Sequence, residues 1–469
     1  MKRLALIIGT LLIVATAVWG QEFSEKREIA VFKLGYHGMP TDPAVTTTRA
    51  AVQLGVIRFE YQETVRPRTT DIFERAIGSI DEQIRSVFIN LGRFDVIGLG
   101  KRLNAENVDA FIETLRQVKE DEIELPETVL LGQEAFTEAD FNRLTGNFIV
   151  VVPTVSYYNL EQEDDGSFQA DIETSFTFID VQERRAIEQF FIETSGNDDD
   201  AVDAMKSAVD GIPFELSYRV RSMDVFKIRT GVLEVDGREI IMEFGDNMGV
   251  VKGDEYAVVR SKVLSTGHTA NEQTGLLAIK EVHDEFSVGY LYYSTPRPVI
   301  GDQLVEVPRY GIEVTPYAKV LSDLANARYT FVPGLRATAA RGFFETRPQV
   351  GVEIPFTQTI LGFYVPMNVY VGAERNFYLG RLKLAPSFGV GLGGAIPVQD
   401  DYFDEFVTHF GGQATVSLGY LATRDTMIHA EAGYAYWLGL WDQVFDETAL
   451  ERFFGGYGGL LIGGGVSFK

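Results

Sequence analysis

From Gly311 onward the chain alternates apolar and polar residues in eight segments of roughly nine or more residues, and no other feature restricts its fold so tightly. Successive side chains of a strand point to opposite faces, so each segment has two. One face reads Ile312, Val314, Pro316, Ala318 and Val320, then Pro333, Leu335, Ala337 and Ala339, then Val350, Val352, Ile354 and Phe356, then Met367, Val369, Val371 and Ala373. It continues through Leu382–Leu392, Ala414–Tyr420, Ile428–Tyr436 and Leu460–Phe468 without a single charge. The other face carries Glu313, Lys319, Arg336, Glu353, Glu374, Lys383, His429 and Glu431 among glycines, serines and threonines.

Two barrels fit such alternation. A soluble, lipocalin-like barrel buries the apolar face and wets the polar one; a membrane barrel turns the apolar face to lipid and the polar face to its lumen. The polar face is too rich in glycine and too poor in lysine for a soluble exterior. It suits a narrow eight-strand lumen, where small residues and mutually neutralising charges fit. Strands of this length also span a bilayer when tilted. The eight charged positions are therefore expected to form a structural polar network in the lumen.

Loop lengths give an independent indication. If the first strand runs outward, the two longest connections, PVQDDYFDEFVTHF (397–410) and GLWDQVFDETALERFF (439–454), fall on the external side, and ATRD (422–425) on the inner side. Short inner turns and long external loops are the habit of outer-membrane barrels. Trp437, Trp441, Tyr402 and Phe403 read as an interfacial girdle. The closing stretch YGGLLIGGGVSFK (457–469) resembles the last strand of outer-membrane proteins, whose terminal aromatic is read by the barrel-insertion machinery; the resemblance gives that role to Phe468, with Lys469 following it. In size the barrel is OmpA-like.

Residues 1–20 have the form of a signal peptide: Lys2 and Arg3, the apolar run LALIIGTLLIVATAV, and small residues at Val18 and Gly20 before Gln21. An uncleaved anchor is the rival reading. Both place the rest of the chain outside the cytoplasm. There is no cysteine, hence no disulfide, no thiolate metal site and no lipid-bearing cysteine. The net charge is −25, and loss of Lys2 and Arg3 leaves 40 basic residues against 67 acidic ones, a net −27. Such a surface repels phosphate backbones, and no nucleic-acid partner is expected.

Residues 21–225 mix strand and helix patterns. REIAVFKLG (27–35) reads as a buried strand. Ile72, Ala76, Ile80, Ile84, Val87, Phe88 and Leu91 repeat at helical spacing from Asp71 to a glycine stop at Gly92. RFDVIGL returns as a strand, a second helix is expected over Asn104–Lys119, and NFIVVVPTVSYYN and FQADIETSFTFIDV form a longer pair. The order of "IAVF", "LGRFDVIGLGKRL", "NFIVVVPTVSYYN" and "FTFIDVQERRAIEQF" resembles the periplasmic domain of CsgG-like and TolB-N-terminal-like proteins. The long membrane-inserting hairpins of the curli secretion channel are not apparent in it.

Residues 226–308 are denser in turns: Asp236-Gly237, Gly245-Asp246 and Gly253-Asp254 punctuate short alternating runs, the grammar of a small barrel built from hairpins. "GVVKGDEYAV … VIGDQLVEV" resembles the FlgT C-terminal-like, SH3-type β module, which implies packing or binding rather than chemistry.

The expected fold is thus multidomain: a signal peptide (1–20), a periplasmic α/β domain (21–225), a small all-β barrel module (226–308) and an antiparallel transmembrane β-barrel of about eight strands (309–469). No phosphate loop, nucleophile elbow or zinc-protease motif occurs, and His37, His268, His283, His409 and His429 show no ligand spacing. His429 and Glu431 share the lumen face, as lumen packing or, alternatively, a catalytic dyad. The loop acids Asp400, Asp401, Asp404, Glu405, Asp442, Asp446 and Glu447 read as solvated charges or as cation-bridged contacts to anionic lipid sugars. The expectation is a non-enzymatic outer-membrane protein without cofactor or metal, its barrel anchoring periplasmic domains. The OmpA-like plan is the nearest analogy, with the domain order reversed. Expected partners are outer-membrane lipid, the insertion machinery and an unidentified periplasmic or peptidoglycan-associated protein; homo-oligomerisation is left open. Transport and a surface enzyme or ligand-binding barrel are the alternatives.

Overall fold

A computed structural model describes residues 23–36, 46–54, 57–65, 69–102, parts of 107–117, 128–131, 134–137, 149–183, 185–323, 328–356, 364–397, 406–439 and 457–469. The proposed leader and the segments 398–405 and 440–456, with the loop acids from Asp400 to Glu405 and from Asp442 to Glu447, Trp441, Tyr402 and Phe403, lie outside the described residues. The chain forms two compact units, Glu25–Phe226 and Lys227–Lys469, the latter joined by the short stretch before Glu25.

The first unit contains strands β1 (Arg27–Lys33), β2 (Gly35–Tyr36), β3 (Thr46–Leu54) and β4 (Ile57–Val65), helices α1 (Thr69–Ala76) and α2 (Ile80–Asn90), and β5 (Phe94–Arg102). After β6 (Thr128–Leu131) and β7 (Glu134–Thr137) come β8 (Ile149–Gln162), β9 (Phe168–Asp180), β10 (Arg185–Asp198) and α3 (Ala201–Ser222). The main sheet runs β10-β9-β8-β1-β5, with β2 also beside β8; β1 is parallel to both its neighbours, and the β8–β9–β10 meander is antiparallel. Ile84, Phe88, Met205, Val209 and Leu216 of the helices join Ile29, Val31, Phe176 and Phe178 of the sheet in one apolar core. Asp200 caps α3, accepting hydrogen bonds from the N–H groups of Val202 and Asp203 at 2.8 and 3.2 Å.

Two elements here differ from the sequence reading. The single helix expected from Asp71 is broken by a 3₁₀ turn, Ile77–Ser79, centred on Gly78; glycine weakens a helix interior by about 1 kcal/mol relative to alanine. And a hairpin with two nine-residue strands, β3 and β4, pairs Thr46 with Val65 through Leu54 with Ile57, in a stretch to which the sequence reading assigns no element. In the stretch expected as a second helix, Ala110, Phe111, Glu113, Thr114 and Gln117 are helical.

The second unit opens with six short strands: β11 (Arg229–Asp236), β12 (Glu239–Glu243), β13 (Glu255–Val263), β14 (Thr269–Val282), β15 (Phe286–Ser294) and β16 (Gln303–Val307). They close a barrel in the order β11-β12-β15-β14-β13-β16 around Ile240, Met242, Tyr256, Val258, Leu277, Ile279 and Leu304. The tight turn at Asp236-Gly237 works because Gly237 adopts φ 58°.

The larger barrel follows: β17 (Ile312–Asp323), β18 (Arg328–Ala339), β19 (Thr346–Glu353), β20 (Tyr364–Arg375), the short β21 (Phe377–Leu379), β22 (Leu382–Pro397), β23 (Phe406–Leu421), β24 (Thr426–Gly439) and β25 (Tyr457–Phe468). β20 pairs β22 and β17 pairs β25, so eight antiparallel strands form a closed ring, with β21 as a side ribbon on β22. The apolar face points out: Leu335, Val371, Phe388, Leu418, Ile428 and Ile462 are 52, 60, 61, 55, 54 and 71% exposed. Residues 406–410, read above as part of an external loop, belong to β23. Among the described residues no helix is long and apolar enough to cross a membrane, which says nothing of strands.

Candidate functional site

The period-two alternation carries the charges inward. Glu313, Lys319, Arg336, Glu353, Glu374, Lys383, His429 and Glu431 are all buried. Their ion pairs are arranged in layers along the lumen.

At the centre, Glu353 is fully buried on β19. Its Oε1 accepts from the Tyr317 hydroxyl at 2.6 Å and from the Lys319 ammonium, which also donates to Gln413 Oε1. The Tyr370 hydroxyl lies 3.2 Å from that of Tyr317. Glycines make room for both rings. A Cβ at Gly334 would lie 2.6 Å from the Tyr317 ring, and one at Gly351 would lie 2.3 Å from that of Tyr370. This is a local reason for the glycine content of the inner face.

Beside this layer the Arg336 guanidinium sits 5.2 Å from the Tyr317 ring centroid, 3.4 Å from Glu431 Oε2 and 3.3 Å from His429 Nε2. His429 and Glu431 thus both address Arg336. Nearer the small module, Arg347 donates to Glu313 at 2.7 Å and Lys383 to Glu374 at 2.9 Å. At the far end, Asn368 donates to the Tyr457 hydroxyl at 2.5 Å, and the His409 and Tyr457 rings meet edge to face at 5.4 Å.

Four carboxylates, Glu313, Glu353, Glu374 and Glu431, therefore face four cations, Lys319, Arg336, Arg347 and Lys383. Buried charge is tolerable only when paired and hydrogen-bonded. The pairing leaves no net charge among these eight to attract an ion. Trp437, read above as part of a girdle, is instead fully buried in the interior. It shares the parity of His429 and Glu431 on β24, and that parity outweighs the preference of tryptophan for interfaces. Arg347, Tyr317, Tyr370, Asn368 and Gln413 were not singled out from the sequence. Arg347 was within reach of it, lying at even spacing from Glu353 on β19. Phe468 is 51% exposed on the outer face and pairs with Val314 and Thr426.

The small module covers the end of the ring where its three short turns lie. Phe344, Leu421 and Met427 of the large barrel join Ala257, Leu276, Ala278 and Tyr292 of the module in one apolar cluster. The Tyr290 hydroxyl donates to Tyr378 O at 2.7 Å, Gly342 N–H to Lys252 O at 2.7 Å, and Arg381 lies 3.7 Å over the Tyr293 ring. Around this cluster are ion pairs: Arg341 with Asp254 (3.0 Å), Arg309 with Glu255 (2.9 Å) and Asp425 (2.5 Å), and Lys469 with Glu255 (2.5 Å). Burial pushes the Tyr292 phenol well above its ordinary pKa. For Arg309 burial opposes the charge, but Glu255 and Asp425 outweigh it and raise the guanidinium further. For Asp425 burial again opposes, and the hydrogen bond and charge of Arg309 hold its carboxyl below the usual range.

Among the described residues no group of three or more His, Asp or Glu is placed to hold a metal ion. No protein-family model matches the chain, and no curated protein matches it in sequence. Solved structures with similarity include Neisserial surface protein A (12% identity, 34% of this chain and 95% of that one, TM-score 0.26). Protein XCC0632 from Xanthomonas campestris is similar over 41% of this chain and 84% of its own, at 10% identity and TM-score 0.21. OmpT, an outer membrane protein of Vibrio cholerae, is similar over 68% of this chain and 95% of its own, at 10% identity and TM-score 0.16. With TM-scores this low, the functional reading rests on the geometry of the chain itself.

Proposed function

We propose that the chain is a non-enzymatic outer-membrane protein of a two-membrane bacterium, in which the eight-stranded barrel anchors the preceding domains on the periplasmic side. The observation that carries this reading is the polarity of the closed ring. Valine, leucine, isoleucine and aromatic side chains cover its outside while paired charges fill its inside. A continuous apolar belt of that kind far exceeds the few hundred Å² that a soluble monomer leaves exposed. Lipid is the solvent that suits it.

The lumen favours anchoring over transport. A narrow barrel filled by Tyr317, Tyr370, Trp437 and the ion pairs has little space for a solute, and the small module lies across one mouth. On this reading Phe468 serves the insertion machinery, lipid is the principal partner of the ring, and a CsgG-like or TolB-N-terminal-like first unit binds an envelope protein or a peptidoglycan-associated partner. Surface proteolysis of intact cells, with membrane fractionation, tests the arrangement. Cleavage confined to 397–410 and 439–454 in an outer-membrane fraction is expected; cleavage within 27–225 overturns it. Steady single-channel current from the purified protein in planar bilayers would favour transport instead.

A further inference from the structure

We propose that the small β module is a clamp on the closing seam of the large barrel, with Glu255 as the residue that joins its two edges. Neighbouring strands elsewhere around the ring follow one another in the chain. The β17–β25 contact does not: it joins the first and last strands, and is held only by non-covalent bonds. Bringing such distant segments together carries the loop-closure cost that a hairpin avoids.

The seam is interrupted at the module end. Its register pairs Val314 with Phe468 and then resumes only at Tyr317 with Gly465. Pro316 lies in the gap and has no N–H to give to the ladder. Across the gap the Thr315 hydroxyl donates to Ser467 Oγ at 2.8 Å. Glu255 acts just beyond this gap and uses both carboxylate oxygens. Oε2 accepts from Arg309, three residues before β17 begins, at 2.9 Å. Oε1 accepts from Lys469, the residue after β25, at 2.5 Å. The Lys469 ammonium also lies 5.0 Å from the centroid of the buried Tyr292 ring.

The two edges of the seam thus each provide one cation to one buried carboxylate of a different domain. A simple tether would not need this. The apolar cluster and the Arg341–Asp254 pair already hold the module to the barrel without touching the seam. The Glu255 site is complete only when β17 and β25 are side by side, so docking of the module and closure of the ring stabilise each other. The inference rests on ring closure and not on which solvent surrounds the ring; the outcome of the proteolysis or conductance experiments leaves it standing or falling separately.

Hydrogen exchange of the full chain in detergent micelles tests it, read peptide by peptide by mass spectrometry. In E255Q, amides of β17 and β25 near the gap are expected to exchange about tenfold faster or more, while those of β22 and β23 on the opposite wall stay at the wild-type rate. K469Q is expected to show the same localised change at smaller size, and the double variant to exchange no faster than E255Q alone. Unchanged exchange at the seam, equal acceleration around the whole ring, or additive effects would overturn the proposal. Should E255Q not yield a folded barrel, K469Q decides: localised acceleration supports the clamp and an unchanged seam refutes it.

Discussion

The two barrels of the second unit follow one another in the chain, use the same two-residue alternation and have opposite polarity. In the six-stranded module Ile240, Tyr256, Val258, Leu277 and Ile279 face inward and Glu239, Glu272 and Lys280 face outward. In the eight-stranded ring Lys319, Arg336, Glu353 and Glu431 face inward and Val390, Phe388, Leu418 and Ile462 outward. Alternation therefore defines two faces without stating which one is wet. In the module the apolar set is enclosed, and burial at about 25 cal/mol per Å² favours the fold in water. In the ring the apolar set is outside and contributes only when another apolar phase covers it.

The largest expected effect breaks this contrast from within the ring. Lys319→Met leaves Glu353 buried at the centre without its cation, at a cost of about 3–5 kcal/mol. The midpoint at which the heat-modifiable gel species is lost should fall steeply, and an unchanged midpoint would mean the lumen network contributes little. Next in size is a charge on the outer face. Val390→Arg, at the middle of β22, is expected to cost about 2–4 kcal/mol in a bilayer, read from urea unfolding in lipid vesicles. A cost near zero would place that face in water.

How much of this could be read from the chain follows from the same contrast. Parity along each strand is local, so the inward positions of Glu353 or Lys383 are visible in the sequence. Ion-pair partners are not. Glu313 meets Arg347 across β17 and β19, through a register that the closed ring sets and no local pattern reports. Trp437 shows that strand parity outweighs residue type: its odd-numbered place, shared with Glu431, puts it inside the ring. Glu255 carries no local signal of its role, since its partners lie 54 and 214 residues away. Gly78 signalled a helix weakness that the apolar spacing around it concealed.

Smaller effects sharpen the comparison at the joint. The Asp425 carboxyl is lowered in the folded state, so its contribution is fully present above its unfolded pKa and is lost as pH falls through the folded value. Acidification below about 4 should therefore loosen the Arg309 segment that joins module and ring. Because Asp425 is half-exposed, Asp425→Asn should cost no more than about 1 kcal/mol at neutral pH and remove that share of the acid sensitivity. Limited proteolysis between 300 and 312 across a pH series reports both; identical acid profiles for variant and wild type would exclude Asp425. Smallest of all, Glu272→Val on the wet face of the module should shift thermal stability by no more than about 0.5 kcal/mol. A loss as large as that from Val390→Arg would remove the distinction between the two surfaces.

The most direct test of the opposed polarities is the purified full chain, refolded with and without detergent micelles and examined by heat-modifiable migration and sedimentation. The expected result is a compact, heat-modifiable species only where amphiphile is present, and association or failure to close the ring in plain buffer. A monomeric, folded ring in plain buffer would contradict the account, because the belt from Leu335 to Ile462 would then be stable against water.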